Sequence, residues 1–160
     1  MRRLHEDALL LRRVIWRGVG SAGAAVEGAA IGECDPARVE EMRAVAGSVV
    51  LFSGVASRKP GAGAPALTAI NAAVEGLGRA LAVELAPVRV NVIAPGIVET
   101  ELWAGLPEEA RAAALKNFTE RQPIARPGQP EEIAAVVLSI MAATYMTGAV
   151  IDVDGGTLLV

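Results

Sequence analysis

Ala66-Leu67-Thr68-Ala69-Ile70-Asn71-Ala72-Ala73-Val74-Glu75-Gly76-Leu77 stands between two apolar runs, Ser48-Val49-Val50-Leu51-Phe52-Ser53 and Val88-Arg89-Val90-Asn91-Val92-Ile93-Ala94. Apolar side chains at Leu67, Ile70, Val74, Leu77, Leu81 and Leu85 recur with helical period, which predicts a helix over about Ala66 to Leu85. The run before it is short, continuous and rich in β-branched residues, the pattern of a strand buried on both faces of a parallel sheet. Gly76 and Gly78 each cost about 1 kcal/mol relative to Ala inside a helix, so close packing of another backbone is the expected compensation. Pro87 closes the helix, and the second strand delivers Pro95-Gly96 at its carboxyl end, where open α/β sheets place their ligands.

Working outward toward the carboxyl end, Ile97 to Trp103 reads as a loop and Pro107-Glu108-Glu109 opens a helix whose first turn holds acids, as the helix dipole favours. Pro130-Glu131-Glu132 repeats the device before Ile133 to Ala143, a helix with so little polar surface that near-complete burial is expected. Gly148 to Val153 reads as the last strand and Asp154-Gly155-Gly156 as the turn out of it. The fold class is therefore α/β, a partial, truncated Rossmann-like doubly wound parallel sheet with flanking helices, and right-handed crossovers are expected. The loop Gly54 to Pro65, with Arg58 and Lys59 as its only charges, is expected to be mobile unless a ligand or partner covers it.

Working outward toward the amino end, Asp35-Pro36 marks a helix start. Gly18-Val19-Gly20-Ser21-Ala22-Gly23 matches G-x-G-x-x-G, with Asp35 where a ribose-binding acid would be sought. The stretch between them lacks a second apolar strand, and a Gly/Ala-rich linker is the preferred reading. Leu9 to Trp16 fits a strand or an amphipathic helix. Residues 1–47 thus form a poorly matched segment, and residues 48–160 a half-sized Rossmann-like unit.

A chain of 160 residues fits one domain. Its net charge of −3 gives no general attraction to nucleic acid, which is not an expected partner. The start of the chain lacks the apolar core of a secretory signal. The uncharged run 133–151 is interrupted by Ser139, Thr144, Thr147 and Gly148, which favours a buried helix and strand over a membrane span. Cys34 is the single cysteine, compatible with a reducing cytoplasm, and it is flanked by Glu33 and Asp35, which argues against a reactive thiolate. His5 reads as a surface residue.

Residues 48–160 resemble the short-chain dehydrogenase/reductase family over their whole length. The resemblance rests on the order and spacing of Val50-Leu51-Phe52-Ser53, Ala72-Ala73-Val74-Glu75-Gly76-Leu77, Arg89-Val90-Asn91, Pro95-Gly96, Thr100, Arg126-Pro127-Gly128-Gln129-Pro130-Glu131-Glu132-Ile133-Ala134, Thr147-Gly148 and Asp152-Val153-Asp154-Gly155-Gly156. In that family a Tyr and a Lys stand one helical turn apart, the ammonium lowering the phenol's pKa from about 10 toward neutrality. A Ser at the preceding strand end holds the substrate oxygen. Carried onto this sequence, the Ser, Tyr and Lys places hold Gly54, Leu67 and Asn71, with Ser53 one residue short. No catalytic residue is therefore assigned. Leu67 reads as a core leucine, Asn71 as a capping or loop-contacting amide, and Glu75 as a solvated or interface carboxylate.

The resemblance implies NAD(P) as cofactor, with nicotinamide-side contacts at Asn71, Pro95, Gly96, Ile97 and Thr100. The sequence offers no family glycine-rich phosphate turn before residue 48 and so no seat for the adenosine half. No metal site is expected. Three functions compete: a divergent oxidoreductase homologue without hydride transfer, a non-catalytic module that dimerises or pairs with a full-length relative through the small-residue face around Gly76 and Gly78 and the final helix and strand, and a truncated gene product. An exposed edge beside Val49 to Phe52 is also expected to invite pairing between chains.

Overall fold

A computed structural model describes residues 42–160. The expectations placed on His5, Leu9 to Trp16, the Gly18 to Gly23 motif, Cys34 and Asp35 fall outside these residues. Three parallel strands, β1 (Ser48–Phe52), β2 (Arg89–Pro95) and β3 (Val150–Val153), lie in the order β1-β2-β3. Three helices accompany them: α1 (Pro65–Glu84), α2 (Glu108–Thr119) and α3 (Pro130–Ala142). The helix and strand boundaries agree with the sequence reading to within about two residues at most ends.

The core is built on β2. Val90, Val92, Ile93 and Ala94 are buried there, together with Val88 just before the strand and Asn91 between them. Alternation along β2 sends Val90 and Val92 to one face and Arg89, Asn91 and Ile93 to the other. Gly78 of α1 lies directly on the Val92 side chain, with Leu51 of β1 beside it, so α1 covers the first face. The guanidinium of Arg89 donates to Ala143 O at 2.7 Å and to Met141 O at 2.8 Å, so the end of α3 covers the second. This cation satisfies carbonyls that a helix end leaves unpaired and meets the negative end of its dipole.

The two helices on opposite faces correct the expected handedness. Both connections, β1 to β2 and β2 to β3, step the same way across the sheet. Two crossovers that move in one direction on opposite faces have opposite hands, so one of them departs from the right-handed preference. The polar ties from Arg89 and Asn91 hold the end of α3 on its face: the Asn91 amide donates to Met146 O at 2.9 Å and its oxygen accepts from Ala149 N at 3.1 Å.

Three packing expectations are also corrected. β1 is half-buried along its length rather than fully buried, because it is an edge strand among the described residues. Leu67 is 52% exposed and is no core leucine; Ile70 shares its exposed flank, because α1 meets the sheet further along, at Gly78, and turns Glu75 to the loop after β1. Leu138 and Met141 are exposed on α3, since one sheet face covers only the side carrying Ile133 and Ile140. Gly78 does answer a close approach, though to a side chain; Gly76 faces open space. By length and composition α1 could cross a membrane, but it packs here on the sheet.

Candidate functional site: the carboxyl end of the sheet

At the carboxyl ends of β1 and β2 stand the Ser53-Gly54 turn, which faces the first half of α1, and Pro95-Gly96. Ser53 continues the ladder past β1, its N–H donating to Ile93 O at 2.9 Å. Its hydroxyl turns to α1, donating to Asn71 O at 3.0 Å and lying 3.3 Å from Glu75 Oε1. Gly54 then passes beside the Asn71 side chain: a Cβ at Gly54 would stand 3.0 Å from Asn71 Nδ2. The structure thus brings Gly54 and Asn71 together, with Leu67 one turn before Asn71 on α1. Asn71 is the loop-contacting amide expected, but nothing at this turn of α1 can exchange a proton near neutrality.

Glu75 departs from its expected role. It is buried, accepts from the Ser57 hydroxyl, has the Ser53 hydroxyl 3.3 Å from the same oxygen, and lies 3.6 Å from Arg58 Nε. A buried carboxylate is tolerable only when hydrogen-bonded or paired, and these partners supply that. The signal for it in the sequence was its position one turn past Asn71 on the same helical face, opposite a loop with two hydroxyls and a cation.

The loop after β1 is tied down rather than loose. Val55–Ser57 form a 3-10 turn, Arg58 grips Asp152 of β3 with both guanidinium nitrogens, and Lys59 donates to Thr157 O at 2.7 Å and also to Val160 O. Asp152 holds the Arg58 guanidinium in its charged form, raising its pKa above the ordinary value. Only the later part, around Gly61 and Gly63, faces open space.

On the β2 side, Gly96 donates to Val153 O at 3.0 Å, and its Cα faces the backbone of Asp154 so closely that a Cβ would stand 2.8 Å from Asp154 Cα. Glycine is therefore required at this strand end for packing alone. Ile97 O accepts from Gly128 N at 2.9 Å, pinning the following loop through the Val98 and Gly128 bridge. Thr100 begins the 3-10 turn Glu101–Trp103 without a side-chain cap bond, so its hydroxyl is left for other partners. Pro95, Gly96 and Ile97 share the carboxyl edge with Gly54 and Asn71, whereas Thr100 lies beyond the bridge. Arg126-Pro127-Gly128-Gln129-Pro130 builds the start of α3: Arg126 pairs with Glu132, and Glu132 also accepts from Gln129 N at 2.8 Å. These bonds hold the Glu132 carboxyl down to about 2 from an ordinary 4.5, the arginine bond being the larger cause. Among the described residues no group of His, Cys, Asp and Glu is disposed to hold a metal ion.

A family profile described as Enoyl-(Acyl carrier protein) reductase matches residues 31–157. The chain belongs to the short-chain dehydrogenase/reductase family. It is 37% identical over 117 residues to a short-chain dehydrogenase/reductase of Acremonium sp, covering 73% of this chain and 44% of the relative. It is 40% identical over 117 residues to the 3-oxoacyl-[acyl-carrier-protein] reductase of Thermotoga maritima, covering 71% and 46% respectively. A small-chain dehydrogenase solved in complex with NADPH is 43% identical with a TM-score of 0.69, over 72% of this chain and 52% of that one. The chain therefore spans about half the length of the relatives it matches. The Rossmann-like α/β fold of these short-chain dehydrogenase/reductase structures is the one described above.

Proposed function

We propose that this chain is a divergent short-chain dehydrogenase/reductase homologue that transfers no hydride by itself and keeps a partial edge for NAD(P). The observation that carries the first part is the pairing of Gly54 with Asn71 beneath an exposed Leu67. An alkyl group stands where the resemblance asks for a proton donor, and a neutral amide stands where it asks for an ammonium. General acid–base catalysis contributes about 10²–10⁴-fold, and no titratable side chain replaces it there.

The cofactor part is supported by resemblance and by donors that fit a nicotinamide ribose and carboxamide. Asn71 meets Ser53 through its backbone carbonyl, which leaves its amide for a hydroxyl, and the Thr100 hydroxyl is uncommitted. Pro95, Gly96 and Ile97 would form the wall between them. A bound dinucleotide would supply the hydride; these residues would only hold and orient it. The test is a fluorescence titration with NADPH and NADH. Saturable binding weakened by Asn71→Ala and by Thr100→Ala is expected, without oxidation of the cofactor by any ketone supplied. Absence of saturation to millimolar concentration removes the cofactor edge, and turnover abolished by either substitution overturns the inactive reading.

A second reading, assembly with another copy or with a full-length relative, is favoured by the exposed Leu67, Ile70 and Val83 of α1 and by the position of β1 at the edge of the sheet among the described residues. A strictly monomeric species in concentrated sedimentation runs would count against it. A reducing cytoplasmic setting without nucleic acid or membrane partners belongs to the same proposal.

A further inference from the structure

We propose that Glu75 is the positioning residue that locks the β1-to-α1 loop across the carboxyl end of the sheet. One carboxylate oxygen, Oε1, gathers the Ser53 hydroxyl, the Ser57 hydroxyl and, at 3.6 Å, Arg58 Nε. Arg58 passes the tie on to Asp152 at the far edge of the sheet, with Nη1 2.7 Å from Oδ2. Lys59, next in the chain, fastens the same loop to Thr157 O at 2.7 Å and to Val160 O. Three parts far apart in sequence, residues 53–59, the middle of α1 and residues 152–160, therefore share one polar chain that begins at a buried carboxylate.

The contributions along that chain are unequal. Arg58 and Asp152 are each more than a third exposed or close to it, with side-chain exposures of 38% and 35%, so water and salt weaken their attraction. Glu75 is 7% exposed, and its bonds are made where water does not compete. Removing its carboxylate leaves the Ser53 and Ser57 hydroxyls with only their backbone acceptors, Asn71 O and Gly54 O, and frees the inner side of Arg58, so the loop loses its one buried ionic anchor. The Arg58–Lys59 peptide bond then becomes available to trypsin, whereas Lys59-Pro60 resists it. The lock concerns the loop itself and holds whether or not a dinucleotide binds.

The experiment is limited trypsinolysis of the full chain, with cleavage after Arg58 read by mass spectrometry. Cleavage after Arg111, inside α2, reports global opening in the same sample. Glu75→Ala is expected to speed cleavage after Arg58 by about tenfold or more, beyond any change after Arg111, since a hydrogen bond to a charged group is worth about 1.5–3 kcal/mol. Glu75→Gln keeps an acceptor for the serines and loses the charge facing Arg58, so it gives an intermediate rate. Asp152→Asn opens the loop modestly, and combined with Glu75→Gln the effects are non-additive because both act through Arg58. Should Glu75→Ala fail to fold, Glu75→Gln and Asp152→Asn carry the test. Unchanged cleavage after Arg58, or equal acceleration after Arg58 and Arg111, would overturn the proposal.

Discussion

The Asn71 side-chain amide and the Gly54 backbone are in contact at the end of β1, at a distance where a Cβ on Gly54 would lie 3.0 Å from Nδ2. The helix face that carries this contact also carries Leu67 one turn earlier and Glu75 one turn later. Introducing Leu67→Tyr with Asn71→Lys in a Tyr145→Phe background leaves a single phenol one turn from an ammonium. That phenol is expected to titrate below about 10, as an adjacent cation favours the phenolate. Ultraviolet absorbance against pH reads it without any cofactor, and a phenol titrating at or above 10 would show that the helical face no longer holds the two groups together.

Gly78 and Gly76 should respond to alanine with opposite signs. A Cβ at Gly78 drives into Val92, a side chain packed in the core, and overpacking of this kind costs about 1–3 kcal/mol, more than the helix propensity gained. A Cβ at Gly76 meets open space, so Gly76→Ala should stabilise by up to about 1 kcal/mol. Urea midpoints of the two variants, measured side by side, check both.

Asn91 is fully buried, and its amide is spent on Met146 O and Ala149 N. Asn91→Ala leaves the part-buried Ala149 N–H without its partner and the part-buried Met146 carbonyl with only a long bond from Arg89 Nη1, at up to about 1–3 kcal/mol for an unsatisfied group. The loss of stability should therefore rank among the largest for any single substitution in β2, with hydrogen exchange rising first around Met146 to Ala149.

Glu132 supplies the acid-sensitive element. Its folded pKa, about 2, lies below the ordinary 4.5, so the stability it contributes is present above the unfolded value and is lost as pH falls through the folded one. Stability of the native chain should decline between about pH 4.5 and 2. Glu132→Gln should flatten that part of the profile and lower helix α3 stability at neutral pH, where circular dichroism thermal melts can measure both.

Much of the architecture was legible in the sequence because it depends on local periodicity and punctuation. The stripe Leu67 to Leu85 marked a helix, Val88 to Ala94 marked a strand, and Pro130-Glu131-Glu132 marked a helix start, since each signal is complete within a few residues. The one-turn spacing of Leu67 and Asn71 was equally visible, because it follows from helical geometry whatever surrounds them. Which side of α1 turns inward was legible only in part. Val74, Leu77, Leu81 and Leu85 of the stripe are half-buried, whereas Leu67 and Ile70 stay exposed and Glu75 and Gly78 are the residues fully buried. Hydrophobicity ranks residues by transfer preference, while burial also depends on how much covering surface the rest of the fold supplies.

From its sequence alone this protein is an α/β chain of parallel strands whose helix α1 carries Leu67 and Asn71 one turn apart. Only the tertiary structure turned Glu75 inward, placed Arg58 on Asp152, and set α1 and α3 on opposite faces. Those outcomes rest on contacts between segments as many as 94 residues apart, as with Arg58 and Asp152, and no local pattern encodes which distant group will satisfy a buried charge.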